Sequence, residues 1–377
     1  MKVFVREMTY IIGNLSNLIG AEAEWFETVR GDLFLTVSGF EERSLGVARS
    51  LSEQSNFKEC AYIVYANDSA GNQALRPELV DLLGDLCRAP ARELIETARL
   101  ESVRGLVAEM RQDSGSQGLL TVVVDITGAS CSLLFRLVSM LLTIPKIDLT
   151  LVYSEAAEYF PTRSEYLARG TSQSSYVGSA AGSLGLDVDS TEAAYAIRNG
   201  APRGELLRTR AVVIPGFSSV RVRTALSYID PALLSAEAQR NSVNWLVGEP
   251  PSPELKWRAE ALARHHGLLD FPQGTCVETV STLDYKEVMR ALERLYARSA
   301  NSEEIVIAPF GSKLQTVGVA LFSRMRRDVE VVTADAVEYN SESYTRGVGR
   351  QWRLPLGSTG SLISELESID EIIWVDD

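Results

Sequence analysis

The sequence predicts an α/β protein made of two tandem Rossmann-like parallel-sheet halves that are related by internal duplication. Its strands are near-continuous runs of Val, Ile and Leu, which is typical of parallel strands buried on both faces. Helical patterns separate these strands, and such alternation favours a parallel sheet covered on both sides. Three strand–turn segments of the first half also recur, in the same order, in the second half.

The clearest repeat is a buried strand that runs into a charged, aromatic loop. Residues 149–160 (LTLVYSEAAEYF) recur as residues 329–340 (VEVVTADAVEYN). Two further pairs of segments align glycine with glycine: 33–51 with 210–228 (Gly39 with Gly216), and 119–142 with 303–325 (Gly128 with Gly311). Duplication therefore predicts equivalent strands and turns in the two halves.

Apolar runs and helical periodicity predict the elements in order. In the first half these are a strand at 34–38, a helix from about Ser44, a strand at 61–66, helices at 77–86 and 93–111, a strand at 119–126, a helix to Leu142 and a strand at 148–153. In the second half they are strands at 212–215, 243–247, 304–308, 329–333 and 371–376.

The length of 377 residues favours two domains of ordinary size. We expect an N-terminal Rossmann-like domain over residues 1–170 and a C-terminal one over residues 206–377. Residues 171–205 begin with a Ser/Gly-rich stretch, which is typical of a linker or mobile loop.

The charge and hydropathy of the chain argue against two classes of partner, duplex nucleic acid and the membrane. A net charge of −13 and a pI near 4.9 argue against general binding to duplex nucleic acid, which usually needs a concentrated basic face. No apolar run reaches the roughly 18 residues of a membrane span, and the N-terminus does not resemble a signal peptide. We therefore expect a cytoplasmic protein that does not enter the membrane.

Cysteine and histidine are sparse. The four cysteines are scattered without a CxxC pair, which argues against a disulfide framework and against a zinc site. The two histidines, His265 and His266, end the helical pattern KWRAEALARHHG and precede a glycine, so they indicate a helix end. We expect no metal site, no cofactor and no histidine-based catalytic triad.

Polar residues and glycines follow three strands of the predicted first sheet. Ligands bind beyond the carboxyl ends of parallel strands, near the point where the strand order reverses, so we expect a ligand pocket there. Glycines let the backbone approach a ligand, and the helix that begins near Ser130 offers backbone N–H groups to an anion. The predicted ligand-binding residues are Gly39, Glu41, Arg43, Asp125, Thr127, Gly128, Ser130, Glu158 and Tyr159.

Several of these residues have a structural alternative. Asp125 and Thr127, in VVVDITGAS, either bind a ligand or cap the following helix. Arg43 and Arg221, one in each half, either bind phosphate or carboxylate or lie on a helix surface.

The second half has candidates of its own. APFGSKLQTVG places Gly311, Ser312 and Lys313 before a helix, where they suit a phosphate or form a plain strand–helix turn. It is not a Walker A loop, because the upstream glycine is missing and Leu314 replaces Ser/Thr. The second-half candidates are Gly216, Arg221, Gly311, Ser312, Lys313, Glu338 and Tyr339.

The Glu–Tyr pair is kept in both copies of the repeat. A tyrosine can stack on a base while a carboxylate accepts hydrogen bonds from ribose hydroxyls or base amines, which suits a nucleoside-like ligand. Alternatively, the glutamate caps a turn and the tyrosine packs between the halves. The sequence leaves both interpretations open.

The strand that ends in Asp125-Ile126-Thr127-Gly128 resembles the fourth-strand motif of the CRISPR-associated Rossmann-fold (CARF) sensor domains. That family often continues Gly-Thr-Lys, whereas Ala129, Ser130 and Cys131 follow here. The corresponding turn of the second half does contain a lysine, Lys313. The resemblance implies a Rossmann fold that binds a cyclic oligonucleotide messenger, usually across a dimer.

Three functions remain open. We favour a receptor for a nucleotide-derived ligand that acts with a protein effector in bacterial antiphage defence, as a homodimer. A nucleoside- or nucleotide-processing enzyme, such as a glycosidase or phosphoribosyl-type transferase, is the alternative, with Asp125, Glu41 and Glu158 as its carboxylates. A structural subunit without a ligand is the third. The pattern leaves catalysis undecided and leans against it.

Overall fold

A computed structural model describes residues 10–51, 56–87, 89–113, 118–168, 196–199, 208–271, 276–335 and 344–367. Three predictions lie outside these residues: the strand at 371–376, the Glu338–Tyr339 pair and most of the linker at 171–205.

Strands occupy Ile19–Gly20 (β1), Arg30–Val37 (β2), Asn56–Val64 (β3), Arg92–Ile95 (β4), Leu120–Asp125 (β5), Ile147–Ser154 (β6), Glu158–Tyr159 (β7), Ala196–Asn199 (β8), Arg208–Ile214 (β9), Val243–Glu249 (β10), Val277–Ser281 (β11), Glu303–Pro309 (β12), Glu330–Ala334 (β13), Thr345–Arg346 (β14) and Gln351–Ser358 (β15). Helices occupy Ala23–Thr28 (α1), Gly46–Ser50 (α2), Ala70–Leu86 (α3), Glu101–Asp113 (α4), Cys131–Leu142 (α5), Arg163–Ala168 (α6), Ser219–Ile229 (α7), Ala236–Asn241 (α8), Trp257–His265 (α9), Tyr285–Ser299 (α10), Lys313–Met325 (α11) and Thr359–Glu367 (α12).

The chain forms two compact units. The N-terminal unit comprises Leu15–Tyr159 and Thr345–Glu365, and the C-terminal unit comprises Met1–Asn14, Phe160–Tyr344 and Leu366–Asp377. These units differ from the contiguous domains predicted over 1–170 and 206–377. The reason is that β15 pairs with β6 along nearly its whole length, and residues Thr345–Glu365 belong to the N-terminal unit.

The N-terminal unit contains a seven-stranded sheet in the order β1-β15-β6-β5-β2-β3-β4. The run from β6 to β4 is parallel, β15 is antiparallel to β6, and β1 is antiparallel to β15. From β2 the chain continues to β3 on one side, whereas β5 lies on the other side. The strand order therefore reverses between β2 and β5, and we call this place the switch point.

The C-terminal unit contains a six-stranded sheet in the order β11-β10-β9-β12-β13-β8. All its neighbouring strands are parallel except β8, which is antiparallel to β13. The order β6-β5-β2-β3-β4 thus corresponds to β13-β12-β9-β10-β11, with an antiparallel strand beyond β6 and beyond β13. The α/β class with parallel sheets is confirmed. Internal duplication requires such matching orders but stays a prediction.

Some elements differ from those predicted. The helix expected over 93–111 is wrong at its start, because Arg92–Ile95 forms the edge strand β4 and the helix begins only at Glu101. An edge strand has neighbours on one side only and carries charged residues, so it shows no continuous apolar run. The strands β11 and β15 also mix polar and apolar residues and escape prediction, and β8 lies inside the predicted linker.

The strand that ends at the switch point and the helix that follows it belong to the buried core. The last four residues of β5 are buried, and α5, which follows the turn, is buried along nearly its whole length. No helix in the described ranges is long and apolar enough to cross a membrane.

Candidate functional site

The turns that follow β2 and β5 touch at the switch point. A Cβ atom on Gly128 would lie 2.3 Å from the backbone oxygen of Val37, and one on Gly39 would lie 3.0 Å from the Cα of Gly128. Any side chain at Gly128 would therefore displace backbone, and the two glycines allow the turns to meet. The structure thus brings together the two loops that the sequence analysis places at one edge.

Asp125 and Thr127 join the ends of β5 and β6. Asp125 is fully buried, and its Oδ1 accepts hydrogen bonds from the Thr127 backbone N–H at 2.9 Å and from the Thr127 hydroxyl at 2.5 Å. The Thr127 hydroxyl oxygen in turn accepts from the backbone N–H of Ser154, the last residue of β6, at 2.9 Å. Neither residue caps α5, because its cap is Ser130. The Asp-x-Thr pattern has a structural role across two strands.

Burial raises the pKa of Asp125 to about 7, although hydrogen bonds from Thr127 and the charge of Arg43 oppose the rise. Its Oδ2 has no hydrogen-bond partner within the described ranges, and the Thr36 hydroxyl in the adjacent strand also opposes the rise in pKa. Burial therefore favours the protonated form of Asp125.

Arg43 forms a buried ion pair with Glu41 in the turn after β2. Nε donates to Glu41 Oε2 at 2.5 Å and Nη2 donates to Oε1 at 3.1 Å, a bidentate arrangement. Nη1 donates to the Tyr153 hydroxyl at 3.0 Å and to the Ser154 carbonyl at 3.2 Å. Burial would lower the pKa of Arg43, but Glu41 and the nearby tyrosines raise it well above its ordinary value. Arg43 is therefore charged and held inside the fold rather than on a helix surface.

Tyr159 closes the turn between β6 and β7. Its hydroxyl accepts from the backbone N–H of Ala156 at 3.1 Å and lies 3.4 Å from the Tyr153 hydroxyl. Its ring centroid lies 5.8 Å from the guanidinium carbon of Arg43. These contacts favour the structural interpretation for this tyrosine.

Glu158 is less tightly held than its neighbour. It pairs with Arg346 at 3.2 Å across the short β7–β14 ribbon, where the Arg346 side chain is largely exposed and that of Glu158 is half-exposed. The corresponding Glu338 and Tyr339 lie outside the described residues.

The beginning of α5 is bound to the end of β3 as well. The Ser130 hydroxyl caps the helix by accepting from the Leu133 N–H at 3.1 Å. The Ser130 N–H donates to the Tyr65 hydroxyl at 2.6 Å, and that hydroxyl donates to the Gly128 carbonyl at 3.0 Å. The ends of β2, β3 and β5 therefore meet here. A single tyrosine after a strand gives no sequence signal, so the sequence analysis misses Tyr65.

A second group of polar residues, which we call the Asp68 cluster, lies between the ends of β2 and β3. It consists of Ser38, Asp68, Asn72 and Arg76. Arg76 donates from Nε to the Ser38 hydroxyl at 3.5 Å and pairs through Nη2 with Asp68. Asn72 lies one helical turn before Arg76 on the same side of α3 and is only 5% exposed. In the sequence these residues look like an ordinary helix start.

The C-terminal unit repeats the contact between turns. A Cβ atom on Gly216 would lie 2.5 Å from the carbonyl oxygen of Phe310. Arg221 donates from Nε to the carbonyl of Ala334 at 2.8 Å and packs over the Phe310 ring. Ala334 ends β13 as Ser154 ends β6, so Arg221 and its first-half counterpart bond the same carbonyl position. Arg221 is buried inside the fold rather than on a helix surface.

The loop before α11 caps its own helix. The Ser312 hydroxyl accepts from the Gln315 N–H at 3.2 Å, and Gln315 Oε1 accepts from the Ser312 N–H at 2.8 Å. A Cβ atom on Gly311 would lie 2.1 Å from the same Oε1. This capping box engages two N–H groups that an anion would use, which favours a plain strand–helix turn. Lys313, the first residue of α11, is half-buried.

The two histidines lie at the end of α9, as predicted. His266 Nε2 donates to the carbonyl of Gly216 at 2.7 Å, and the His265 ring packs edge-on against His266 at 4.9 Å. Burial lowers the pKa of His265 to about 3 and that of His266 to about 4. Neutral imidazoles therefore support the turn after β9.

Possible metal ligands are not gathered in the part of the chain that the structure describes. Within those ranges, no group of three or more His, Cys, Asp or Glu side chains is arranged to hold a metal ion. None of the four cysteines, all of which lie in the described ranges, forms a disulfide bond.

No protein-family model matches the chain, and no curated protein matches it. Among solved structures, the chain is similar to a universal stress protein from Archaeoglobus fulgidus, with 10% sequence identity over 82% of this chain and 98% of that chain. The TM-score is 0.23, a likeness too low to support an argument about function.

Proposed function

We propose that the protein is a receptor for a nucleotide-derived small molecule, which binds at the switch point of the N-terminal unit. A protein effector responds to the bound state. The resemblance of the Asp125–Gly128 motif to CARF sensor domains suggests bacterial antiphage defence as the setting and a homodimer as the assembly.

The convergence of three strand ends at the switch point carries this proposal. The half-exposed residues Phe40, Tyr65 and Ser130 follow β2, β3 and β5, respectively. Parallel sheets bind ligands at this place. The Ser130 and Leu133 N–H groups at the start of α5 are already engaged, and the dipole of the helix favours an anionic group there. Aromatic side chains stack on bases irrespective of the base. Together these features suit a phosphate attached to a nucleoside.

The carboxylates that the enzyme alternative needs are already engaged. Asp125 is buried and hydrogen-bonded to Thr127, and Glu41 is paired with Arg43. Glu158 forms an ion pair of its own. A general acid or base must reach its substrate, so these contacts favour binding over catalysis.

Arg43 supplies a route by which binding could be sensed. Its partner Glu41 lies in the turn that also contains Phe40, and Glu41 accepts a hydrogen bond from the Thr345 hydroxyl of β14 at 2.7 Å. A ligand that moves this turn would disturb the ion pair and, through Thr345, the β7–β14 ribbon.

Titration of the full chain with nucleoside monophosphates and cyclic dinucleotides, followed by thermal shift and calorimetry, tests the proposal. Ser130→Ala and Ser312→Ala are matched variants, since each removes the cap of the corresponding helix and should cost about 1 kcal/mol of stability. Only Ser130→Ala should also weaken binding, by roughly tenfold, the effect of losing about 1.4 kcal/mol. Equal affinities in the two variants, or no binding at all, would contradict the proposal.

Two further measurements accompany the titration. Mass spectrometry of the incubated nucleotides should return them unchanged, whereas new products would support the enzyme alternative. Light scattering of the purified chain, with and without ligand, checks the homodimer.

A further inference from the structure

The Asp68 cluster contains two oxygen atoms that lack a hydrogen-bond donor. Oδ1 of Asp68 and Oδ1 of Asn72 are both buried, and neither has a partner in the part of the chain that the structure describes. A carboxylate oxygen and an amide oxygen act only as acceptors. Leaving such atoms buried without a donor is unfavourable, so a native site with two of them calls for an explanation.

The remaining contacts hold these two residues in position. Arg76 binds the other oxygen of Asp68, and its Nε reaches the Ser38 hydroxyl. Ser69 caps α3 by accepting from the backbone N–H of Asn72 at 3.3 Å, which fixes Asn72 in the first helical turn. The two acceptors are therefore preorganised beside the ends of β2 and β3.

The charges of the cluster decide which ligand chemistry suits it. The guanidinium of Arg76 already lies against the Asp68 carboxylate, so a metal cation would meet a positive charge there. Neutral donors meet no such repulsion. Each of the two acceptors can take a hydrogen bond from a hydroxyl group.

We propose that the Asp68 cluster binds the ribose hydroxyls of a nucleoside or nucleotide. Ser38 directly precedes Gly39, so a sugar held here lies beside the switch point, where Tyr65 and Ser130 can meet the base and phosphate. This inference rests on the proposed receptor function and adds selectivity for ribose over deoxyribose.

The test uses the full chain and two sets of probes: the four ribonucleoside 5′-monophosphates, which keep both the 2′ and the 3′ hydroxyl, and the 2′-deoxy form of each. The wild type should bind the ribose form at least about tenfold more tightly, because a deoxy ligand leaves a buried acceptor unpaired. Asp68→Ala and Asn72→Ala should both remove this preference. Glu78→Ala is the matched control, since it breaks the ion pair of α3 with Arg49 on the outer side of the helix and should leave the preference intact.

Stability separates a binding role from a structural one. Asn72→Ala deletes a buried acceptor that has no donor, so the melting temperature of the ligand-free variant should stay level or rise. A fall in melting temperature with unchanged ribose preference would overturn the inference. Equal binding of ribose and deoxyribose forms to the wild type would also overturn it while leaving the receptor proposal standing. If no nucleotide binds, both fail.

Discussion

The turn after β2 in the N-terminal unit and the turn after β9 in the C-terminal unit share a backbone geometry but carry different polar side chains. Gly39 touches the turn after β5 in the N-terminal unit, and Gly216 touches the turn after β12 in the C-terminal unit. In the N-terminal unit Arg43 donates to the carbonyl of the last residue of β6, and in the C-terminal unit Arg221 donates to the carbonyl of the last residue of β13. The N-terminal turn supplies Glu41, which pairs with Arg43, whereas the C-terminal turn supplies Ser218, which caps α7. Glycines and strand order set the backbone geometry, and single side chains set the charge.

The N-terminal unit buries a carboxyl group near these turns, whereas the C-terminal unit buries two imidazoles. Burial raises the pKa of Asp125 in the N-terminal unit and lowers the pKa of His265 and His266 in the C-terminal unit. Because the shifts have opposite consequences for stability, pH offers a way to distinguish the two units.

The largest expected effect is that of Arg43→Met. This change removes the partner of Glu41, which is only 8% exposed, and leaves a buried carboxylate without its cation. Breaking a buried pair in this way costs about 3–5 kcal/mol. Urea unfolding followed by circular dichroism measures the loss.

The matched variant in the other unit is Arg221→Met. It loses a hydrogen bond to a carbonyl and packing on Phe310, but its own turn carries Ser218 rather than a carboxylate. We expect a smaller loss, and the double variant Glu41→Gln/Arg43→Met should recover part of the stability lost by Arg43→Met. Equal losses at the two arginines would break the distinction between the turns.

Local pattern explains much of the fold. The parallel strands are apolar runs, and Gly39 and Gly128 stand where two such runs end, so the edge of the sheet and its two turns could be predicted. The convergence of Glu41, Arg43 and Tyr159 follows from the same argument, because parallel strands end on one side.

The rest depends on contacts between distant parts of the chain. The pairing of β15 with β6 joins segments that are far apart in the sequence, and β15 has no apolar run from which it could be predicted. The Asp68 cluster arises where α3 meets the end of β2, and each of its residues alone resembles a cap or a surface side chain. Only the assembled sheet reveals that Asp68 and Asn72 are short of donors.

The next effect is the pH dependence conferred by Asp125. Its pKa is about 7 in the folded protein against an ordinary value of 3.8, so between about pH 4 and pH 7 the folded state holds a proton that the unfolded chain has lost. The contribution of Asp125 to stability should therefore fall as pH rises through this window, by at most about 1.4 kcal/mol per pH unit. The Asp125→Asn variant should lack this slope, so its free energy of unfolding relative to that of the wild type should be higher at pH 8 than at pH 4. Parallel slopes in unfolding experiments on both proteins would contradict the burial of a protonated carboxyl.

An effect of the opposite sign is expected from the histidines. Their pKa values of about 3 and 4 lie below the ordinary 6.5. Between about pH 4 and pH 6.5 the unfolded chain therefore binds protons at these two residues that the folded protein does not bind. This contribution to stability is complete above about pH 6.5 and is lost as pH falls towards 4. His266→Gln keeps a donor for the Gly216 carbonyl and should reduce the acid sensitivity. Unchanged acid unfolding would show that the pair does not titrate on unfolding.

The smallest effect separates the two members of the Glu–Tyr pair. Tyr159→Phe removes the acceptor of the Ala156 N–H and a contact with Tyr153, which should cost about 1 kcal/mol. Glu158→Gln breaks an exposed ion pair and should change stability by less than about 0.5 kcal/mol. If duplication gave both copies one role, Tyr339→Phe should likewise cost more than Glu338→Gln. Should Glu158→Gln instead weaken nucleotide binding at unchanged stability, the glutamate belongs to the ligand site, and the pair was kept for two different reasons.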